Sequence, residues 1–236
     1  MKKIYVIKTG TTFQSILNEY GDFENWILKN AKSVEYEVID INNNECLPHI
    51  KNCLGIIITG SHSMVTEDFP WSLEMEVFIK KLITYKIPLL GICFGHQLIA
   101  KSLGADVGYS PNGLELGSVN ITLNTNAKND VLFHKMPKEL YAHVVHFQSV
   151  LTLPKNAVLL ASNKVENNHI FKVGTCAWGV QFHPEFDENI MKSYITEVLD
   201  SSLSASLEKE LLSKVKKTTY SNQIIENFLN FAKQYA

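Results

Sequence analysis

Pro88-Leu-Leu-Gly-Ile-Cys-Phe-Gly-His-Gln-Leu-Ile-Ala100 changes its hydrophobic pattern part-way along. Leu89, Leu90 and Ile92 continue an apolar run of buried-strand type, and Phe94 to Leu103 reads as a helix, so Cys93 stands at a strand-to-helix corner. Gly91 and Gly95 flank it two residues away on each side, as a sharp turn with close backbone packing requires. Such a corner thrusts the side chain out of the fold, and the following helix N-terminus offers unpaired N–H groups and a positive dipole end. Both favour thiolate, the nucleophilic form. A lone cysteine in an apolar run is more often inert core, so the corner alone does not establish chemistry.

Outward from the corner, strand-like and helix-like stretches alternate. Lys3 to Ile7 predicts a strand, Phe13 to Asn30 helix interrupted at Gly21, Val34 to Ile41 a second strand, and Leu54 to Thr59 a parallel strand covered on both faces. That run ends in the polar loop Gly60-Ser-His-Ser63, and Trp71 to Tyr85 carries the apolar stripe Met75, Phe78, Ile79, Leu82, Ile83 at helical spacing. The order predicts an α/β fold: a central, mostly parallel sheet with helices on both faces, and sites at the carboxyl ends of the strands. Gly60 and Cys93 then share one edge. After Gly104, short strand-like pieces at Ala105 to Tyr109, Gly117 to Leu123, Tyr141 to Phe147, Ala157 to Ala161, His169 to Val173 and Cys176 to Phe182 read as additional, partly antiparallel strands. Asp187 to Asp200 returns to helix, and from about Ser204 two amphipathic helices follow. The second presents Ile224, Ile225, Phe228, Leu229 and Ala232 on one face, after an expected Ser221 cap. The division is a domain over 1–200 and a C-terminal helical extension over 201–236 packed on it.

The second motif is Trp178-Gly-Val-Gln-Phe-His-Pro-Glu185. Val180-Gln-Phe reads as a strand, with His183 extended before Pro184, and residues two apart in extended chain point to one side, so Glu185 can reach the imidazole. A carboxylate there fixes the tautomer and stabilises the imidazolium while the other nitrogen faces a thiol. Cys93, His183 and Glu185 make a nucleophile, a base and an orienting group. His62 and His96 are rival bases by location only.

The chain has 236 residues, 45% of them hydrophobic, with a formal net charge of −2 and a pI near 6.4. That length suits one large domain, and the charge gives no global attraction to nucleic acid or an anionic membrane. The apolar run after Met1-Lys-Lys is too short for a signal peptide and is broken by Lys8, and no segment has the length of a membrane span. Cys46, Cys53, Cys93 and Cys176 show no framework spacing, which points to free thiols in a reducing cytoplasm. Zinc spacing is absent among the eight histidines, and no metal or cofactor is implied.

Gly91-Ile-Cys-Phe-Gly-His-Gln97 and Gly179-Val-Gln-Phe-His-Pro-Glu185 resemble the two signature blocks of class I, triad-type glutamine amidotransferases, and within them the free-standing GMP synthase-like domains. The Thr59-Gly-Ser61 loop and Gly113-Leu-Glu-Leu-Gly117 extend the likeness from about residue 1 to 200. The resemblance implies a flavodoxin-like sheet. It also implies hydrolysis of the L-glutamine side-chain amide to glutamate and ammonia through a γ-glutamyl thioester on Cys93, with His183 moving protons and Glu185 holding it. The oxyanion hole would use the N–H of Phe94 and a donor of the Gly60-Ser61 loop, and Gln97 would hold the amino-acid end of the substrate. Relatives often carry glycine or proline after the Gly60 position, where this chain has Ser61-His62. In place of a His-Gly-Asp segment it has His146-Phe147-Gln148, which are candidate substrate-binding residues; His146 reads equally well as a structural histidine. No Walker-type phosphate loop is present, so ammonia would pass to a separate synthetase subunit, or the protein is not a synthase component at all. The same thioester chemistry serves any γ-glutamyl amide, which leaves γ-glutamyl peptide or conjugate hydrolysis as a second reading and a non-catalytic regulatory module as a third.

Overall fold

The computed structural model describes residues 2–29, 34–199 and 205–235. β1 (Lys3–Lys8) leads into α1 (Gln14–Tyr20) and α2 (Phe23–Leu28), parted at Gly21, whose φ of +82° suits a residue without a Cβ. Asp22 caps α2 by accepting from the Phe23 N–H, and Asn25 closes the box by accepting from the Asp22 N–H. β2 (Tyr36–Asp40), β3 (Cys53–Ile58), α3 (Pro70–Thr84), β4 (Leu89–Ile92) and α4 (Phe94–Ser102) follow. Then come β5 (Val107–Tyr109), β6 (Glu115–Leu123), β7 (Glu139–His146), β8 (Gln148–Val150), β9 (Ala157–Ser162), β10 (Ile170–Val173) and β11 (Ala177–Val180). α5 (Glu188–Leu199), α6 (Ala205–Lys214) and α7 (Thr219–Tyr235) complete the described chain.

Nine strands form one sheet in the order β2-β1-β3-β4-β11-β10-β9-β6-β7, while β5 and β8 pair separately. From β2 to β11 the neighbours are parallel, and from β11 to β7 antiparallel. Alternate residues of the parallel strands supply two different cores. Ile4, Val6, Ile57, Leu90, Ile92 and Val180 pack with Ile224, Ile225, Phe228, Leu229 and Ala232 of α7. Tyr5, Ile7, Ile56, Ile58 and Leu89 pack on the other face with Met75, Phe78 and Leu82 of α3 and Leu98 and Ile99 of α4. A strand covered on both faces must be apolar throughout, which is why Leu54 to Ile58 shows no alternation. At roughly 1.5–3 kcal/mol per buried aliphatic or aromatic side chain, the α7 face is a main wall of its core. A third cluster joins α1, α2 and α5 through Ile16, Phe23, Trp26, Ile190, Met191 and Tyr194.

Four local expectations are corrected. Ser221 is not the cap of α7: it lies inside the first turn, buried, and its hydroxyl donates to Thr218 O. β11 ends at Val180, not Phe182, and Pro184 and Glu185 form a turn in place of extended chain. The second strand is confined to Tyr36–Asp40, with Ile41 beginning a 3₁₀ turn. Cys93 does not project from the fold; it is 6% exposed. The expected helix limits at Asn30, Asp200 and Ser204, and the division near residue 200, lie outside the described residues.

Candidate active site

β3, β4 and β11 are adjacent, and their register sets Ile58 beside Gly91 and Gly91 beside Gly179. Two residues further along each strand stand Gly60, Cys93 and Gln181, past one carboxyl edge of the sheet, with His183 two beyond Gln181. The glycines around Cys93 serve contact, and the turn strain falls on the cysteine itself (φ +48°, ψ −97°). A Cβ on Gly91 would lie 2.4 Å from Gly95 O, and one on Gly95 2.7 Å from Ile58 O. Backbone therefore rests on backbone where α4 crosses the sheet, and its N-terminus is brought down beside the sulfur.

His183 Nδ1 hydrogen-bonds Glu185 Oε1 at 2.7 Å, and the ring stacks on Phe186 at 4.2 Å and, more distantly, on Phe23 at 6.2 Å. The turn at Pro184 brings the carboxylate back onto the imidazole. Nε2 is buried and without a hydrogen-bond partner among the described residues. Burial opposes a charge on this ring, but the negative charge of Glu185, then that of Cys93, together with the Glu185 hydrogen bond, outweigh it and push His183 up to about 10. The arrangement favours a proton on the imidazole.

Gly60, Ser61 and Phe94 come to the same edge. Gly60 O accepts from the hydroxyls of Thr9 at 3.1 Å and Thr59 at 2.9 Å. In a trans peptide the next N–H points opposite to the carbonyl, so Ser61 N–H faces away from that threonine network. Phe94 is the first residue of α4, where backbone N–H groups have no helical acceptor. Both Ser61 and Phe94 line a cavity of about 230 Å³, together with Cys93 and His183.

Gln97, His146, Phe147 and Gln148 line it too. Gln97 Nε2 donates to Gln148 O at 2.6 Å and Gln181 Oε1 at 3.1 Å. His146 spends both ring nitrogens inside the protein, on Gln148 O at 3.1 Å and Glu115 Oε2 at 2.9 Å. Gln148 Nε2 donates to Thr66 Oγ1 at 2.7 Å, while its Oε1 is buried without a partner among the described residues. Phe147 is half-exposed at the mouth. The opposite wall is apolar: Phe13, Phe23, Met64, Tyr194 and Val198. Of the rival bases, His96 is buried against Gly179 and Phe171, and burial pushes it down to about 3. His62 lines the cavity, with Nε2 at 3.2 Å from the Tyr194 hydroxyl, and burial, then the charge of His183, lowers its pKa.

The family model for class-I glutamine amidotransferases matches residues 15–199. The chain belongs to that family. As a class-I glutamine amidotransferase family member it is 34% identical over 167 residues to gamma-glutamyl peptidase 3 of Arabidopsis thaliana, a match covering 70% of this chain and 66% of that relative. It is 33% identical over 171 residues to the glutamine-hydrolyzing GMP synthase of Borreliella burgdorferi, covering 70% of this chain and 32% of the relative. The chain thus spans just under two thirds of the first relative and about a third of the second. Among solved structures, a glutamine amidotransferase from Thermotoga maritima covers 98% of this chain and 97% of its own, at 22% identity and a TM-score of 0.75, which supports the fold. Among the described residues, no helix is long and apolar enough to cross a membrane.

Two parts of this family member's site escaped the sequence reading. Gln181, with Nε2 3.6 Å from Cys93 Sγ, was signalled only by being polar inside an apolar run. The Thr9–Thr59 pair that anchors the Gly60 loop joins segments far apart in the chain and left no local signal. Gly60 itself is held to its identity by contact: a Cβ there would stand 2.8 Å from His183 Cε1. Gly60→Ala is therefore expected to fold while pushing the imidazole off its line to the thiol, lowering kcat about 10²-fold, since a displacement of order 1 Å has that effect. Steady-state kinetics alongside a melting curve check this, and a folded variant with unaltered kcat contradicts it.

Proposed function

We propose that this cavity hydrolyses γ-glutamyl amides, with L-glutamine as the simplest substrate, through a thioester on Cys93. Cys93 gives its proton to His183 Nε2 and the sulfur attacks the γ-carbonyl carbon. The N–H groups of Phe94 and Ser61 meet the oxyanion, an interaction commonly worth about 10²–10³-fold per donor. His183 then protonates the leaving nitrogen, the C–N bond breaks, and ammonia departs from the γ-glutamyl thioester. A water gives a proton back to His183, attacks the thioester and releases glutamate, returning the proton to the Cys93–His183 pair. Glu185 keeps the ring oriented and favours its charge. Gln148 Oε1, a buried acceptor still without a partner, receives the α-ammonium of the substrate, and Gln97 and His146 brace the Gln148 segment. In the amidotransferase reading the ammonia is passed on to a synthetase active site, a reading supported by the likeness to a glutamine-hydrolyzing GMP synthase.

The observation that carries this is the joint arrival of Ser61, Cys93 and His183, the last hydrogen-bonded to Glu185 behind it, at one cavity from adjacent strand ends. A second reading, hydrolysis of γ-glutamyl peptides or conjugates, is favoured by the apolar wall of Phe13, Phe23, Met64, Tyr194 and Val198, which an ammonia leaving group does not need. The likeness to a gamma-glutamyl peptidase points the same way. Purified protein is incubated with L-glutamine and a γ-glutamyl peptide panel, with product analysis and mass-spectrometric detection of a γ-glutamyl adduct on Cys93. Glutamine turnover with the adduct supports the first reading, and turnover of peptides alone replaces it with the second. Absence of turnover and adduct for every substrate leaves the non-catalytic module.

A further inference from the structure

We infer that Gln181 is a further catalytic residue, whose side-chain amide donates to Cys93 Sγ and stabilises the sulfur as thiolate. This rests on Cys93 being the nucleophile. Gln181 follows β11, fully buried, level with Cys93 across the parallel pair, and the Cys93 N–H donates to the neighbouring Val180 O at 2.9 Å. Its Nε2 lies 3.6 Å from Sγ, within hydrogen-bonding range for sulfur.

Which end of the amide meets the sulfur is settled by a chain of contacts. Gln148 O is a backbone carbonyl and can only accept, so the Gln97 group 2.6 Å from it is the NH₂. That same NH₂ lies 3.1 Å from the Gln181 side chain, which must present its oxygen there. The Gln181 NH₂ is left facing Cys93. The reversed amide would set donor against donor at Gln97 and an oxygen lone pair against the sulfur.

The bond is worth more to one protonation state than to the other. A thiol sulfur is a weak acceptor and its S–H has its own outlet, Val145 O at 3.8 Å. A thiolate is a charged acceptor, and a hydrogen bond to the charged form favours that form. When the proton moves from Sγ to His183 Nε2, the Gln181 N–H gains a charged partner. When sulfur attacks the carbonyl carbon, its charge passes to the carbonyl oxygen and the Gln181 contact weakens. When water's attack expels the sulfur from the thioester, the contact is regained, so Gln181 also assists its departure. Through Gln97 the amide is tied to the Gln148 segment, which links the substrate-binding wall to the nucleophile.

The test is the pH dependence of Cys93 alkylation by iodoacetamide, with the modified residue located by mass spectrometry, in wild type, Gln181→Met and Gln181→Glu. The alkylation midpoint is expected to move up by about one pH unit in Gln181→Met, making modification about tenfold slower well below the midpoint. It should move further in Gln181→Glu, where a carboxylate faces the sulfur. kcat/KM follows the same shift, so its deficit narrows as pH rises, whereas a merely structural role would lower it equally at every pH. Variants that fold and keep the wild-type midpoint overturn the role of Gln181 while leaving Cys93 as nucleophile. A wild-type Cys93 that forms no γ-glutamyl adduct and alkylates like a free thiol removes both. If the variants do not fold, the side-chain NH₂ resonances of Gln181 in the wild type decide: they shift at the alkylation midpoint and stop doing so in Cys93→Ala, or their invariance refutes the contact.

Discussion

Cys93→Ala and Cys93→Gly are both expected to reduce γ-glutamyl amide hydrolysis to background, a loss of at least about 10⁴-fold, because neither side chain can form the thioester and loss of a nucleophile removes the covalent route entirely. The two should differ in stability, with glycine ahead by about 1 kcal/mol. Cys93 sits at φ +48°, ψ −97°, outside the left-handed helical well as well as the common regions. A residue with a Cβ in so sparsely populated a region costs on the order of 1–3 kcal/mol, and alanine keeps that strain. Glycine relieves it and gives back about 0.5–1 kcal/mol through its freer unfolded chain. Urea unfolding of the two variants, with activity measured on the same samples, checks both halves. Glycine proving the less stable would remove the strain argument, and turnover by either folded variant would remove Cys93 as nucleophile.

The same corner shows what the sequence could and could not reveal. The change from strand to helix at Cys93 was legible because hydrophobic period is a local property, and so were both faces of the parallel strands and the apolar face of α7. That Gly91 and Gly95 allow close backbone packing was legible too, but not what they pack against: Gly91 is required by Gly95 O and Gly95 by Ile58 O, a matter of helix-to-sheet distance. β8 went unread because Gln148–Val150 is too short for periodicity and pairs only with β5. Ser221 looked like a cap because serine before an apolar helix face is a common start, yet Thr218 lies one turn earlier. Nothing local marked Gln181 as a partner of Cys93, 88 positions away in sequence, since that contact depends on β11 lying beside β4.

Glu185→Gln preserves shape, and its amide oxygen can still accept from His183 Nδ1, so the site should stay assembled while its charge balance reverses. Burial is strong enough here to push His96 down to about 3 and His143 to about 4. His183 is pushed up to about 10 despite burial because Glu185, then Cys93, favour its charged form. Without the carboxylate the ring should titrate below 6.5, leave the thiolate without its counter-charge at neutral pH, and lower kcat/KM by about 10²–10⁴-fold. Stability should respond with a definite sign, best read in a Cys93→Ala background where the thiol does not titrate. With Glu185 present, the folded ring's pKa stays above its unfolded value, so its contribution is complete below about 6.5 and is lost as pH rises through the folded value. In the Glu185→Gln variant the folded pKa lies below the unfolded one, and stability instead falls as pH drops below about 6.5. Unfolding free energies measured from pH 5 to 10 with and without the carboxylate, with NMR titration of the ring, separate these cases. An unchanged pH slope and an unchanged His183 midpoint would show that the carboxylate does not control the imidazole, and the assignment of Glu185 as its orienting partner would fall with them.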